Sequence, residues 1–286
     1  QTFDLTLNTE GLAVTLVFGD STKGWQAVNS NEITNAQKFV AATGGTITTV
    51  CTNFKVHTFT GPGTFEVTNA GNSSGSNTVD YLVVAGGGAG GRGASDSGNS
   101  AGGGGAGGFR ESSGAASGCY TASPLGSGVS ALPVSVQSYP IQVGGGGPAA
   151  PFPAPSSTTS PASGGNGSNS VFSTITSAGG QSGGTGNSPS VSPAQGKDGG
   201  TATGNSAGGG GGATVAGSPA PGPNSAGPGG AGATTNISAS PVAYAGGGGS
   251  GGSSNGSGAS GAPGGTGGGG KGSDEDGSPS GSVAGT

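Results

Sequence analysis

Charged residues are scarce in this chain. Only 7% of its 286 residues are charged, with seven Lys or Arg against twelve Asp or Glu and a formal net charge of −5. The basic residues are spread along the chain and form no cluster, so we expect no nucleic-acid partner. No apolar run approaches the roughly 20 residues that a membrane-spanning helix needs, so we expect no membrane insertion.

The residue types that carry most catalysis and metal binding are also rare. His57 is the only histidine, and no motif spacing places a Cys or Asp near it, which indicates a structural role. Residues 265–271 match the first part of a phosphate-binding loop, but Gly272 stands where Ser or Thr would bind magnesium. Asp274-Glu275-Asp276 is a dense acidic cluster without the spaced oxygens of a calcium site. We therefore predict no enzyme activity, no cofactor and no metal.

Cysteine is limited to Cys51 and Cys119. A disulfide between them would join distant parts of the chain, and two unpaired buried thiols are the alternative. The sequence leaves both open.

Glycine, in contrast, is abundant and unevenly placed. Residues 1–85 hold nine of the 72 glycines, one of the 18 prolines and eight of the fourteen aromatic residues, including Trp25. Residues 86–286 hold the other 63 glycines and 17 prolines, too few bulky side chains for a conventional core. We predict two modules, a small β-rich module over 1–85 and a glycine-rich module over 86–286.

The first module carries strand signals punctuated by turns, which predicts five to seven short strands. Residues 12–18 are apolar and rich in β-branched side chains. Residues 54–60 and 64–68 flank Gly61-Pro62-Gly63, and this arrangement predicts a hairpin. The predicted fold class is therefore mainly β.

A second pattern recurs farther along the chain, where a short apolar strand leads into a glycine run. It occurs at residues 79–85, 139–143, 171–175 and 242–245. The intervals between these segments are uneven, so the pattern is not a strict solenoid repeat.

Glycine runs of this kind have three possible conformations. Collagen is excluded because residues 86–98 lack Gly at every third position. A flexible linker is the usual state of Gly/Ser-rich sequence. The third is the extended threefold helix shared by polyproline and polyglycine, whose amides must bond to neighbouring helices and whose close packing needs residues without Cβ. We predict ordered polyglycine II-type helices.

Several segments resemble a known family. FVAATGGTITT, FKVHTFTGPGTFEV and VDYLVVAGGGAGG, followed by SNSVFSTITSAGGQSGG, are similar to the glycine-rich domains of bacteriophage tail fibres and other virion appendages, notably of marine and cyanobacterial phages. The resemblance implies a structural, non-catalytic virion protein, extracellular and homotrimeric. Its implied partners are other tail or fibre proteins and a host cell-surface receptor.

The residues that would contact a receptor are the bulky side chains that interrupt the glycine runs. Phe109, Arg110, Tyr120 and Phe152 are the candidates, because aromatic and Arg side chains dominate binding hot spots. In an alternative interpretation these aromatics fill the ends of the glycine bundle. The alternative function is a self-assembling extracellular filament or cell-surface matrix protein with no specific receptor.

Overall fold

A computed structural model describes residues 14–22, 24–30, 37–92, 99–150, 163–184, 194–252 and 260–273. These residues are mainly β, as predicted, and their one helical element is a 3₁₀ turn at Pro124–Gly126. The strands are β1 Val14–Asp20, β2 Gly24–Ser30, β3 Val40–Thr43, β4 Thr46–Val50, β5 Phe54–Thr58, β6 Gly63–Ala70, β7 Thr78–Val79, β8 Leu82–Val84, β9 Phe109–Glu111, β10 Leu132–Pro133, β11 Ser138–Gln142, β12 Ser170–Phe172, β13 Ile175–Ser177, β14 Ala233–Thr235 and β15 Val242–Tyr244.

The largest sheet has five antiparallel strands in the order β13-β12-β11-β6-β3. It includes strands from both sides of the boundary predicted near Gly86. The other strands form antiparallel pairs: β1-β2, β4-β5, β7-β10, β8-β9 and β14-β15.

An aromatic core covers one face of the five-stranded sheet. Phe65 and Val67 of β6 are both buried. They are two positions apart, so their side chains point to the same face of the sheet. Phe65 lies opposite Tyr139 of β11, and the Phe172 ring meets both, with ring centroids 5.8 and 6.0 Å away. Edge-to-face contacts of this kind stabilise the sheet beyond the burial of apolar area.

The hairpin predicted around Gly61-Pro62-Gly63 is wrong, although strands do lie on both sides of it. β5 pairs with β4, and β6 pairs with β3 and β11. The reversal before β5 occurs at Cys51–Asn53, and Gly61-Pro62-Gly63 carries the chain from one sheet to another. Sequence signals for a turn do not specify which strands it joins.

The glycine runs are ordered, and their hydrogen bonds repeat every three residues. Run 85–91 lies antiparallel to residues 102–108. Its backbone amides donate to the carbonyl groups of these residues, Ala85 to Gly108, Gly88 to Gly105 and Gly91 to Gly102. Amides one residue farther along donate to another neighbour, as Gly86 to Ser168 and Ala89 to Gly165. A period of three with no bonds inside the run is the pattern of a threefold extended helix. The polyglycine II-type prediction is confirmed.

Run 101–109 lies at the centre of this array and bonds to five neighbours. It donates to runs 207–213 and 178–184 and, through the Phe109 amide, to Gln195, and it accepts bonds from runs 85–91 and 245–252. Nearly all its residues are buried. Backbone hydrogen bonds between helices therefore take the place of most side-chain packing.

Glycine is required in this array because the helix backbones touch. A Cβ added at Gly104 would collide with the Gly88 carbonyl, and one at Gly103 with the Gly248 carbonyl. Protein interiors are close-packed, so a side chain there would have to separate the helices.

One end of the array has a small apolar core. Ala106, Ala213, Ala233 and Ala245 are buried around Phe109, whose side chain is 2% exposed. Alanine suits these positions because it excludes water and still allows a close approach of backbones.

The hairpin β1-β2 is the most exposed apolar element among the described residues. Phe18 and Trp25 lie opposite each other with ring centroids 5.4 Å apart, yet they are 52% and 69% exposed. An isolated two-stranded hairpin is marginally stable in water. The exposed side chains of this hairpin therefore mark a surface that would gain stability from a partner.

Candidate functional site: a cleft beside the disulfide

Four strands bring their connecting loops to the same end of the glycine bundle. β8 leads into run 85–91 and β9 follows run 101–109, and these two strands pair with each other. In the same way, β14 follows run 227–232 and β15 leads into run 245–252. Loops held by a rigid scaffold are common places for binding residues.

A disulfide joins two parts of the chain at this end. Cys51 at the tip of the β4-β5 hairpin is bonded to Cys119 in the loop after β9, with Cα atoms 6.1 Å apart. The pairing that the sequence left open is therefore formed, and it closes a loop with a sequence separation of 68 residues.

Beside the disulfide lies an open cleft with a volume of about 440 Å³. This is in the size range of small-molecule sites. No side chain that lines it is charged. The lining residues are Cys51, Gly118, Cys119, Tyr120, Thr121, Asn236 and Ala239.

Tyr120 is held in the cleft wall by a polar network behind it. Its hydroxyl lies 3.3 Å from both the Oγ and the carbonyl oxygen of the buried Ser112. Ser112 Oγ in turn donates to Asp80 Oδ1 at 2.8 Å. Gly114 (φ +73°) leaves room for the ring, since a Cβ there would lie 3.2 Å from Tyr120 Cε1.

This environment also affects the acidity of Tyr120. Burial raises the pKa of Tyr120 to about 12, and the negative charges of Asp80 and Glu111 add to this, while the hydrogen bond with Ser112 opposes it. The phenol is therefore neutral at physiological pH. Because its hydroxyl is tied to Ser112, the ring is the part of Tyr120 available to line the cleft.

The opposite wall is the turn between β14 and β15. The backbone amide of Asn236 donates to the backbone carbonyl of Thr121 at 3.1 Å, and this bond connects the two walls. Ala239 has φ +71°, and Cys51 has φ +46°. Non-glycine residues rarely adopt this conformation, and they persist where the surrounding structure holds them. Two of the lining residues are thus in strained backbone positions, and both lie in covalently or hydrogen-bonded turns.

A buried carboxylate supports the loop from inside. Glu111 is 2% exposed, and its Oε2 accepts a 2.8 Å bond from the amide of Ser123, just before the 3₁₀ turn. Among the described residues, Glu111 Oε1 and Ser123 Oγ have no hydrogen-bond partner. Glu111 therefore fixes the loop and does not face the cleft.

The four residues proposed for recognition lie in different environments. Tyr120 lines the cleft. Phe109 belongs to the alanine-rich core, a position that favours the alternative interpretation in which it fills the end of the bundle. Arg110 is half-buried on β9 near Tyr81 and does not line the cleft, and Phe152 lies outside the described residues.

Sequence reasoning missed most of the cleft. Thr121 and Ala239 had no distinguishing motif, and Asn236 had only an Asn-Ile-Ser glycosylation sequon, which does not indicate a cleft. The positions of all three depend on which glycine helices are neighbours. The adjacency of Cys119 and Tyr120 was the one local signal available.

Other residues considered from the sequence have ordinary surroundings. His57 Nδ1 donates to the Gly44 carbonyl at 2.8 Å, and its ring packs edge-on against Phe65. Within the described ranges, no group of three potential metal ligands comes together, and no helix is long and apolar enough to cross a membrane. The acidic cluster 274–276 lies outside those ranges.

Comparison with known proteins gives one positive result. No curated protein and no solved structure matches the chain. Residues 58–286, most of the chain, match a family model described as a glycine-rich domain, and the chain therefore belongs to the glycine-rich domain family.

Proposed function

We propose that this chain is a structural, non-catalytic protein of a bacteriophage tail fibre or another virion appendage. In this role the glycine bundle is a rigid support, and the loops at its strand end contact a receptor on the host cell. The proposal rests mainly on one observation, the hydrogen bonds that repeat every three residues through runs 85–91, 101–109 and 245–252.

Such an array suits a fibre exposed to the environment. Its stability comes from many backbone hydrogen bonds, each worth about 0.5–1.5 kcal/mol net, and little of it from a large apolar core. Loops at the end of the array can then change in sequence with little effect on the interhelical bonds, because the bonds that repeat every three residues do not involve them.

The disulfide supports an extracellular location. Disulfides form and persist in oxidising environments and are rare in the cytosol. A virion protein exposed after release from the host cell meets that condition.

Exposed apolar residues of β1-β2 support self-association, which we propose is a homotrimer. Leu16, Phe18 and Trp25 are all more than 40% exposed, and both outer edges of this two-stranded sheet are unpaired among the described strands. Edges and apolar faces of this kind are normally covered by another strand or subunit.

The same hairpin also favours the second candidate, a self-assembling extracellular filament or cell-surface matrix protein. In that case the contacts of β1-β2 would continue from chain to chain and no receptor would be engaged. A closed trimer and an open filament differ in whether the contact closes on itself.

The test is to find the chain in its particle. Mass spectrometry of purified virions should detect it, and antibodies against the purified chain should label a fibre or its tip and inhibit adsorption to host cells. Detection in a cell-surface matrix, with none in virions, would contradict the phage proposal and favour the second candidate.

A further inference from the structure

We propose that the cleft beside the Cys51–Cys119 disulfide binds an uncharged, hydroxyl-rich ligand, a short saccharide on a cell surface. This inference rests on the proposed recognition function and names the chemical class of its ligand. The cleft of about 440 Å³ has room for a few sugar rings and is open to solvent, so a longer chain could extend out of it.

The lining disfavours an anionic ligand. None of the seven lining residues carries a formal charge. The nearest carboxylates act from behind the wall, where Asp80 is engaged by Ser112 Oγ and the Ser117 amide. An anion placed in the cleft would find no cation among the lining residues and would lie near these carboxylates.

The polar and apolar groups match a sugar. Tyr120 offers a ring whose hydroxyl is already bonded to Ser112, so the ring can cover the C–H face of a pyranose. Asn236 and Thr121 also line the cleft. The side-chain amide of Asn236 and the side-chain hydroxyl of Thr121 can each donate hydrogen bonds to ligand hydroxyls and accept hydrogen bonds from them. An aromatic surface combined with neutral two-way hydrogen-bonding groups is what a ring with one apolar face and several hydroxyls requires.

The cleft is also fixed before any ligand arrives. The disulfide holds one wall, and the bond from the Asn236 backbone amide to the Thr121 carbonyl connects the two walls. The hydrogen bond to Ser112 fixes the ring of Tyr120. A preorganised site loses little conformational entropy on binding. This compensates for the weak net gain of exchanging sugar–water for sugar–protein hydrogen bonds.

The experiment is saturation-transfer NMR on the purified full-length chain with three neutral trisaccharides, cellotriose, maltotriose and chitotriose (N-acetylated), and with trigalacturonate as the acidic comparison. We expect binding of at least one neutral probe at concentrations up to about 10 mM and weaker binding of trigalacturonate. Asn236→Ala should weaken binding by roughly tenfold or more, since it removes hydrogen bonds to the ligand. Tyr120→Ala should also weaken binding, because it removes the ring that would cover the apolar face of the sugar.

Asn205→Ala is the matched control, because Asn205 is exposed and does not line the cleft. Its binding should equal that of the wild type, and the melting temperatures of all three variants show that they fold. Failure of every neutral probe to bind, or binding that Asn236→Ala leaves unchanged, would overturn the saccharide inference.

A cell assay separates this inference from the proposed function. Periodate oxidation of host-cell diols should reduce adhesion of the purified chain, while protease treatment of the cells should not. Adhesion that is lost only after protease treatment indicates a protein receptor, which overturns the saccharide inference and leaves the virion role intact. Saccharide binding by a chain that is absent from virions would overturn the virion role alone.

Discussion

Replacing Gly88 and Gly87 by alanine tests the glycine packing directly, because these adjacent residues have opposite surroundings. A Cβ at Gly88 would collide with the carbonyl groups of Gln181 and Gly180, whereas one at Gly87 would lie 3.7 Å from the Gly105 oxygen, an ordinary contact. Both belong to run 85–91, and neither has a positive φ.

The expected cost follows from what must move. To admit a methyl group at Gly88, run 178–184 has to shift, which disturbs the bonds from Gly105 to Gln181 and from Gly180 to Gly86. Overpacking costs about 1–3 kcal/mol, and an unsatisfied buried amide costs about 1–3 kcal/mol. Alanine offsets about 0.4–1 kcal/mol of this loss, because it lowers the conformational entropy of the unfolded chain. We expect Gly88→Ala to lower the free energy of unfolding by about 2–4 kcal/mol.

Gly87→Ala disturbs no packing and also lowers the entropy of the unfolded chain. Its free energy of unfolding should therefore equal or slightly exceed that of the wild type. Gly145→Ala is a second control, since no atom lies within 4 Å of the position its Cβ would take. Thermal unfolding followed by circular dichroism would measure the three variants, and a loss of about 3 kcal/mol corresponds to a melting temperature roughly 6–12 °C lower. Equal melting temperatures for Gly88→Ala and Gly87→Ala would refute the packed array and favour a loose linker.

Three further predictions concern the disulfide, the phenol and the exposed hairpin. Cys51→Ser combined with Cys119→Ser should reduce the free energy of unfolding by about 4 kcal/mol, because a closed loop of this length limits the unfolded chain; denaturation in urea would measure it, and the double variant should no longer respond to reductant. Tyr120 should titrate near pH 12 in the folded chain and near 10 when unfolded, so its contribution to stability is complete below pH 10 and is lost as the pH rises toward 12; absorbance at alkaline pH, with Tyr120→Phe as the reference, would reveal a normal midpoint if the reasoning is wrong. Trp25→Ser should shift the proposed homotrimer toward monomer in sedimentation analysis, and a variant that associates as the wild type does would exclude β1-β2 from the contact.

Composition and local pattern were enough to predict the kind of structure. Strand signals at residues 139–143 and 242–245 correspond to β11 and β15, because alternation and β-branching act locally. The predicted strand at 171–175 proved to be two, β12 and β13, reversed at Ser173 with φ +55°. Gly, Asn and Asp signal such positive-φ turn positions, and Ser173 gives no comparable signal.

Pairing and site were decided by the tertiary structure. The sequence predicted the strands on both sides of Gly61-Pro62-Gly63. A strand pairs with the partner that buries its apolar face, however, and β6 pairs with β3 and β11. For glycine runs the ambiguity is greater, because every run offers the same donors and acceptors to every other. Which runs become neighbours decides where the loops meet, and so only the folded chain brings Tyr120, Asn236 and Cys51 to one cleft.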